Sequence, residues 1–112
     1  QSRDFTYIDN VVEMNLLALK TKSNSALGVN YNVACGQRLT VNDLFATIKS
    51  LLITFDKKIE SIDSEYVPPR PGDIPHSLAS IERAKDLIEY NPKIMPSEGL
   101  SRAINWYWEN LQ

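Results

Sequence analysis

Hydrophobic and polar positions along this chain recur with helical spacing in some stretches and in alternation in others, and the switches between the two divide it into elements. The clearest signal follows Thr40, where Val41, Leu44, Phe45, Ile48, Leu51 and Leu52 keep the i, i+3, i+4, i+7 rule. This predicts a helix capped by the Thr40 hydroxyl, with Asp43 completing a weaker form of the capping box. An earlier helix is predicted with Asp9 as N-cap. Its stripe of Val11, Val12, Leu16 and Leu19, widened by Met14 and Ala18, is expected to face the core, with Glu13, Asn15 and Lys20 on the other side.

The same pattern places short strands between the helices. Arg3 to Ile8 alternates enough to predict one, and Val29 to Ala34 another, reached through a polar connection closed by Gly28 and ended by Cys35 and Gly36. Ile59 to Ile62 and Tyr66-Val67 suggest a broken strand. Two further helices complete the chain. Ile81, Ala84, Leu87 and Ile88 form one face of a short helix that Asn91-Pro92 should terminate, because the residue before a proline avoids the α region. The last begins near Ser97, after Pro96, with Leu100, Ala103, Ile104, Tyr107 and Leu111 as its buried stripe; Trp106 or Trp108 must then cover a neighbour or face something outside this chain. The expected fold class is α/β, a small mixed domain of about four helices and short strands.

Composition narrows the function. With 112 residues, 43% hydrophobic and 23% charged, the chain suits one modest core and is taken as a single unit, residues 1–112. A net charge of −2 with scattered lysines and arginines gives no basic footprint, so neither nucleic acid nor an anionic membrane is an expected partner. One cysteine and one histidine leave no internal disulfide and no zinc-like cluster, so no structural metal is expected. No apolar run reaches the ~20 residues of a membrane span and no signal-peptide pattern opens the chain. A reducing cytoplasm is the expected setting.

Candidate chemistry concentrates in Pro68-Pro69-Arg70-Pro71-Gly72-Asp73-Ile74-Pro75. The three prolines ahead of Gly72 stiffen the backbone, and Gly72 supplies a turn or a close approach. Arg70 offers a permanently charged planar fork suited to phosphate, while the Asp73 carboxylate accepts hydrogen bonds and suits ribose hydroxyls. A solvent-exposed proline-rich turn with an Arg–Asp ion pair accounts for the same residues. His76 is read as solvent-facing or helix-capping, and Cys35 as a small buried hydrophobe.

Three stretches, in this order, carry a family resemblance: Ser2-Arg3-Asp4-Phe5-Thr6-Tyr7-Ile8-Asp9-Asn10-Val11-Val12; Tyr31-Asn32-Val33-Ala34-Cys35-Gly36 with Thr40 and Leu44-Phe45; and Arg70-Pro71-Gly72-Asp73-Ile74-Pro75-His76-Ser77. Tyr90-Asn91-Pro92, Glu98-Gly99-Leu100 and Trp106-Tyr107 also fit. The chain resembles the C-terminal third of the extended short-chain dehydrogenases/reductases, the NAD-dependent nucleotide-sugar epimerases and dehydratases, and within them most resembles 4-epimerases of UDP-hexoses or UDP-N-acetylhexosamines. The resemblance implies the C-terminal lobe of a Rossmann-type enzyme. In it Arg3 and Arg70 would grip the UDP diphosphate from two sides, Asn32 would lie near it, and Asp73 would hold the ribose. It also implies a parent homodimer built on helices outside this segment. Ser80, where the family usually has an acidic residue, and Glu89, where Gly often precedes the tyrosine, depart from the pattern.

The family's glycine-rich dinucleotide turn and its Tyr-x-x-x-Lys pair do not occur here: Tyr7, Tyr31, Tyr66, Tyr90 and Tyr107 are followed four residues later by Val11, Cys35, Arg70, Ile94 and Leu111. No catalytic residue is therefore expected in this chain, and NAD is expected to bind the parent enzyme rather than this segment. A free-standing α/β module holding an anion or a protein partner, and the lobe of a nucleotide-sugar dehydratase, are the alternative readings.

Overall fold

The computed structural model describes residues 1–111. Its elements are β1 (Ser2–Arg3), α1 (Ile8–Lys20), β2 (Leu39–Thr40), α2 (Val41–Leu52), α3 (Glu82–Ile88) and α4 (Pro96–Asn110), with 3-10 turns at Asn24–Ala26 and Lys57–Ser61. The architecture is the expected small mixed one of four helices and a short sheet. That sheet is an antiparallel pair in which Ser2 faces Thr40 and Arg3 faces Leu39. No helix among the described residues is long and apolar enough to cross a membrane.

Where the local code is strong, the structure follows it. The Thr40 hydroxyl accepts from the Asp43 amide at 3.0 Å and the Asp43 carboxylate accepts from the Thr40 amide at 3.3 Å, closing the capping box. Pro96 occupies the first turn of α4, where its missing N–H has no intrahelical partner to lose.

The main core joins α1, α3 and the extended run between them: Met14, Ala26, Ala34, Ile81, Ala84, Ile88 and Tyr90. A second packing unit sets α4 across α2. There the Trp108 ring stacks on Phe55 with centroids 5.1 Å apart, whereas Trp106 stays exposed beside Tyr107.

Several expectations are corrected. The first strand stops at Arg3 and α1 begins at Ile8, with Tyr7 at the N-cap and Asp9 inside the first turn. The buried face of α1 is Asn10 and Met14, flanked by Leu17; Val12, Leu16 and Leu19 on the other side are exposed, Leu19 to 82%. Residues 29–34 form no strand, because no strand among the described residues lies beside them to complete a ladder. Ile59 belongs to a 3-10 turn, and Tyr66-Val67 is exposed and unpaired. The stripe of α2 is only half-buried, with Val41 exposed. In α4, Ile104 is buried while Tyr107 is exposed, as is Leu111 just past the helix end. Helix α3 ends before Asn91, at Glu89, which adopts the left-handed conformation with φ 57°.

These uncovered faces have a common measure. The chain exposes 8260 Å², against about 6,200 Å² for a compact monomer of its mass.

Candidate functional site

The proline-rich segment folds into a turn whose type its residues dictate. Pro71 and Gly72 occupy the two central positions, Gly72 has φ +82°, and the Asp73 amide donates to the Arg70 carbonyl at 3.2 Å. Proline followed by a glycine with positive φ is the signature of a type II turn. A Cβ on Gly72 would meet nothing within 4 Å, so the requirement there is conformational and not steric.

The turn is then fastened to the start of the chain. The Ser2 amide donates to the Pro75 carbonyl at 2.9 Å and the Ser77 amide donates to the Ser2 carbonyl at 3.2 Å, so residues 75–77 run parallel to β1 on the side away from β2. This places Arg3 beside the turn. Its Nη1 donates to the carbonyls of Ser2 (2.8 Å) and Pro75 (3.2 Å), and its Nη2 lies 3.7 Å from Asp73 Oδ1. The other Asp73 oxygen accepts from Gln1 Nε2 at 2.7 Å. Both members of the Arg3–Asp73 pair are about one-third exposed, so the pair contributes little to stability, about 0–1 kcal/mol.

Arg70 and Asp73 open onto a concavity of about 570 Å³ whose lining also includes Pro68, Pro69, Pro75, Gln1, Val41, Phe45, Glu65 and Tyr66. That volume suits a small organic ligand, and its mixture of apolar walls with a few polar groups is the usual composition of such a site. Arg3, Arg70 and Asp73 are thus gathered in one region. Asn32 lies outside the concavity, where its Nδ2 donates to the Ser80 carbonyl at 3.1 Å.

Three supporting residues have no signal in the hydrophobic pattern. Asp4 accepts from the amides of Cys35 and Gly36, each at 2.8 Å, and so anchors that bend to the segment carrying Arg3. Asn10 is 1% exposed and serves the backbone at Lys93 and Ile94. Ser2 is buried beneath the turn. A single polar residue at a helix start or strand gives no periodicity to read. Cys35 is buried, as expected; burial pushes its thiol pKa up and the Asp4 carboxylate adds to that, so the thiol stays protonated at neutral pH and is no nucleophile.

No protein-family model matches the chain. It is 30% identical, over its whole length, to a UDP-glucuronate 4-epimerase of Thermodesulfobacterium geofontis, covering 32% of that protein. It is 32% identical over 98% of its length to a putative UDP-glucose 4-epimerase of Methanocaldococcus jannaschii, again covering 32%. Among solved structures, it matches the UDP-glucose 4-epimerase of Thermotoga maritima, crystallised with UDP-glucose, at 32% identity and a TM-score of 0.79, over 99% of this chain and 33% of that one. The UDP-glucuronic acid 4-epimerase of Bacillus cereus, in complex with UDP-glucuronic acid and NAD, matches at 31% identity and a TM-score of 0.76, over 100% and 33%. The chain therefore spans about a third of the length of the relatives it matches.

Fold and likeness together define a small mixed α/β lobe of the kind that forms about a third of Rossmann-type epimerase structures. Over its whole length the chain is similar to about a third of UDP-glucuronate and UDP-glucose 4-epimerases, the kind of protein that the resemblance in its sequence implied.

Proposed function

We propose that this chain is the substrate-gripping lobe of an NAD-dependent nucleotide-sugar 4-epimerase, residues 1–112 holding the UDP part of a UDP-hexose or UDP-N-acetylhexosamine. The observation that supports it most is the convergence of Arg3, Arg70 and Asp73, brought together by the pairing of Ser2 with residues 75–77 beside a concavity of suitable size.

In this reading the Arg70 fork, held by the type II turn at low entropic cost, meets the diphosphate from one side and Arg3 from the other. Asp73 exchanges its bond from Gln1 for one from a ribose hydroxyl. The apolar wall of Val41 and Tyr66 lies along the nucleoside. Asn32 supports from outside by holding the Ser80 carbonyl.

The chain binds and orients, and a separate dinucleotide-binding half supplies the reaction. NAD, bound there, would accept hydride from C4 of the sugar and return it to the opposite face. The exposed stripe of Val12, Leu16 and Leu19 on α1 gives such a half an apolar surface to cover. The parent would be a cytoplasmic homodimer assembled through helices outside this segment.

Calorimetric titration with UDP and with uridine tests the site. If each charge-assisted contact contributes ~1.5–3 kcal/mol, Arg70→Ala weakens UDP binding by roughly tenfold to a hundredfold and leaves uridine unchanged. Arg70→Lys recovers part of the loss, because it keeps the charge without the planar fork. Equal losses for UDP and uridine would show that Arg70 does not read phosphate. The purified chain is expected to turn over no UDP-sugar, and turnover by it would overthrow the division of labour.

A further inference from the structure

His76 directly follows the proline-rich segment that carries the turn, yet it does not line the concavity. Its Nδ1 lies 2.9 Å from the Ser2 hydroxyl, and Ser2 is only 3% exposed. A buried hydroxyl needs a partner, and among the described residues His76 is the one it has.

The same two residues are opposed through the backbone, where Ser2 bridges to Pro75 and Ser77. Backbone bonds of this kind are alike at every residue, so they hold two segments together without selecting which residues face each other. A side-chain contact peculiar to one pair does select. Register matters here because a slip of one residue displaces the segment by about 3.3 Å. That is enough to separate Asp73 from Arg3, now 3.7 Å apart, and from Gln1, now at 2.7 Å. Arg70 would move with it, tied to Asp73 by the turn.

We propose that Ser2 and His76 are positioning residues: their side chains clip residues 75–77 to β1 in a single register and thereby set the placement of Arg70 and Asp73 for a nucleoside diphosphate. The last step rests on the function proposed above, whereas the register does not.

The clip predicts a pattern of rescue that depends on where the partner atom sits. Asparagine at position 76 can bring an amide atom close to the place of Nδ1, while glutamine carries its amide one bond farther out. His76 is exposed, so its variants leave the fold in place.

Amide hydrogen exchange and ring nitrogen resonances of the 112-residue chain provide the test, the latter unambiguous because His76 is the only histidine. Ser2→Ala is expected to shift the ring resonances. Ser2→Ala and His76→Phe should each speed exchange at the amides of residues 2 and 77, which carry the two bonds of this pairing, by about threefold to tenfold, with no further gain in the double variant. The Tyr90 amide, in the core, should be unaffected. His76→Asn should restore protection and His76→Gln should not. UDP affinity should fall by the same factor in the unprotected variants, with uridine unchanged.

Unchanged exchange at the amides of residues 2 and 77 overturns the clip. Faster exchange with UDP affinity intact leaves the clip but overturns its positioning role. If the wild-type chain binds UDP no better than uridine, the nucleotide reading fails and the exchange pattern alone decides the register.

Discussion

The side-chain carbonyl of Asn10 accepts from the Ile94 amide at 3.1 Å, across 84 residues of sequence. It accepts from the Lys93 amide at the same distance, while its Nδ2 donates to the Ile94 carbonyl at 2.7 Å. One buried side chain thus supplies the hydrogen bonds that a neighbouring strand would supply. Asn10→Ala is expected to leave the Lys93 and Ile94 amides without partners and the Ile94 carbonyl with only the weak Cys35 thiol donor, and to destabilise the chain by about 2 kcal/mol or more, at 1–3 kcal/mol for each amide. Urea denaturation measures it, and a loss below 1 kcal/mol would mean that water replaces the side chain.

Gly99 on α4 has no room for a side chain. A Cβ there would lie 2.8 Å from the Tyr7 Cβ and 2.9 Å from two ring carbons, atoms too near the backbone to swing aside. Alanine would otherwise favour the helix by ~1 kcal/mol. Gly99→Ala is instead expected to lower stability by about 1–3 kcal/mol through overpacking. In a Tyr7→Gly background, which removes the Cβ as well as the ring, the same substitution should become neutral or stabilising, which thermal unfolding of the two pairs can check.

Glu89 ends α3 in the left-handed conformation, and the Tyr90 amide turns back to the Ala84 carbonyl at 3.1 Å. Glycine occupies that region without steric cost. Glu89→Gly is expected to raise stability by about 0.5–1 kcal/mol, read as a higher denaturation midpoint at unchanged slope. A decrease would show that the Glu89 side chain has a stabilising role of its own.

Tyr90 is fully buried and its hydroxyl donates to the Ala34 carbonyl at 2.9 Å. Burial pushes its pKa up from 10.0 to about 12, with smaller contributions from Cys35, Asp4 and Glu13. Since the folded state holds the proton more tightly than the unfolded one, this contribution is complete below pH 10 and is lost as pH rises towards 12. Tyr90→Phe should remove that alkaline component and cost about 1 kcal/mol at neutral pH through the unpaired carbonyl. Parallel denaturation curves for wild type and variant at pH 7 and above pH 10 check both parts.

Local sequence determined those features whose partners lie within a few residues. Thr40 and Asp43 cap α2 from three positions apart, Pro96 opens α4, and Pro71-Gly72 fixes the turn that joins Arg70 to Asp73. Charge, hydrogen-bonding capacity and backbone restriction decide these whatever surrounds them. The family pattern marked Arg3, Arg70 and Asp73 together, although nothing local connects the first to the others.

Tertiary structure decided the rest. The hydrophobic pattern of α1 pointed to Val12, Leu16 and Leu19, yet the chain buries Asn10 and Met14, because Asn10 can meet the backbone at residues 93 and 94 while the apolar stripe finds nothing here to cover it. Residues 29–34 have strand composition without a strand, since a ladder needs a neighbour and composition cannot provide one. The meeting of Arg3 with Asp73 depends on Ser2 pairing with a segment more than seventy residues away, and such pairings are set by the register of the whole fold rather than by the residues that pair.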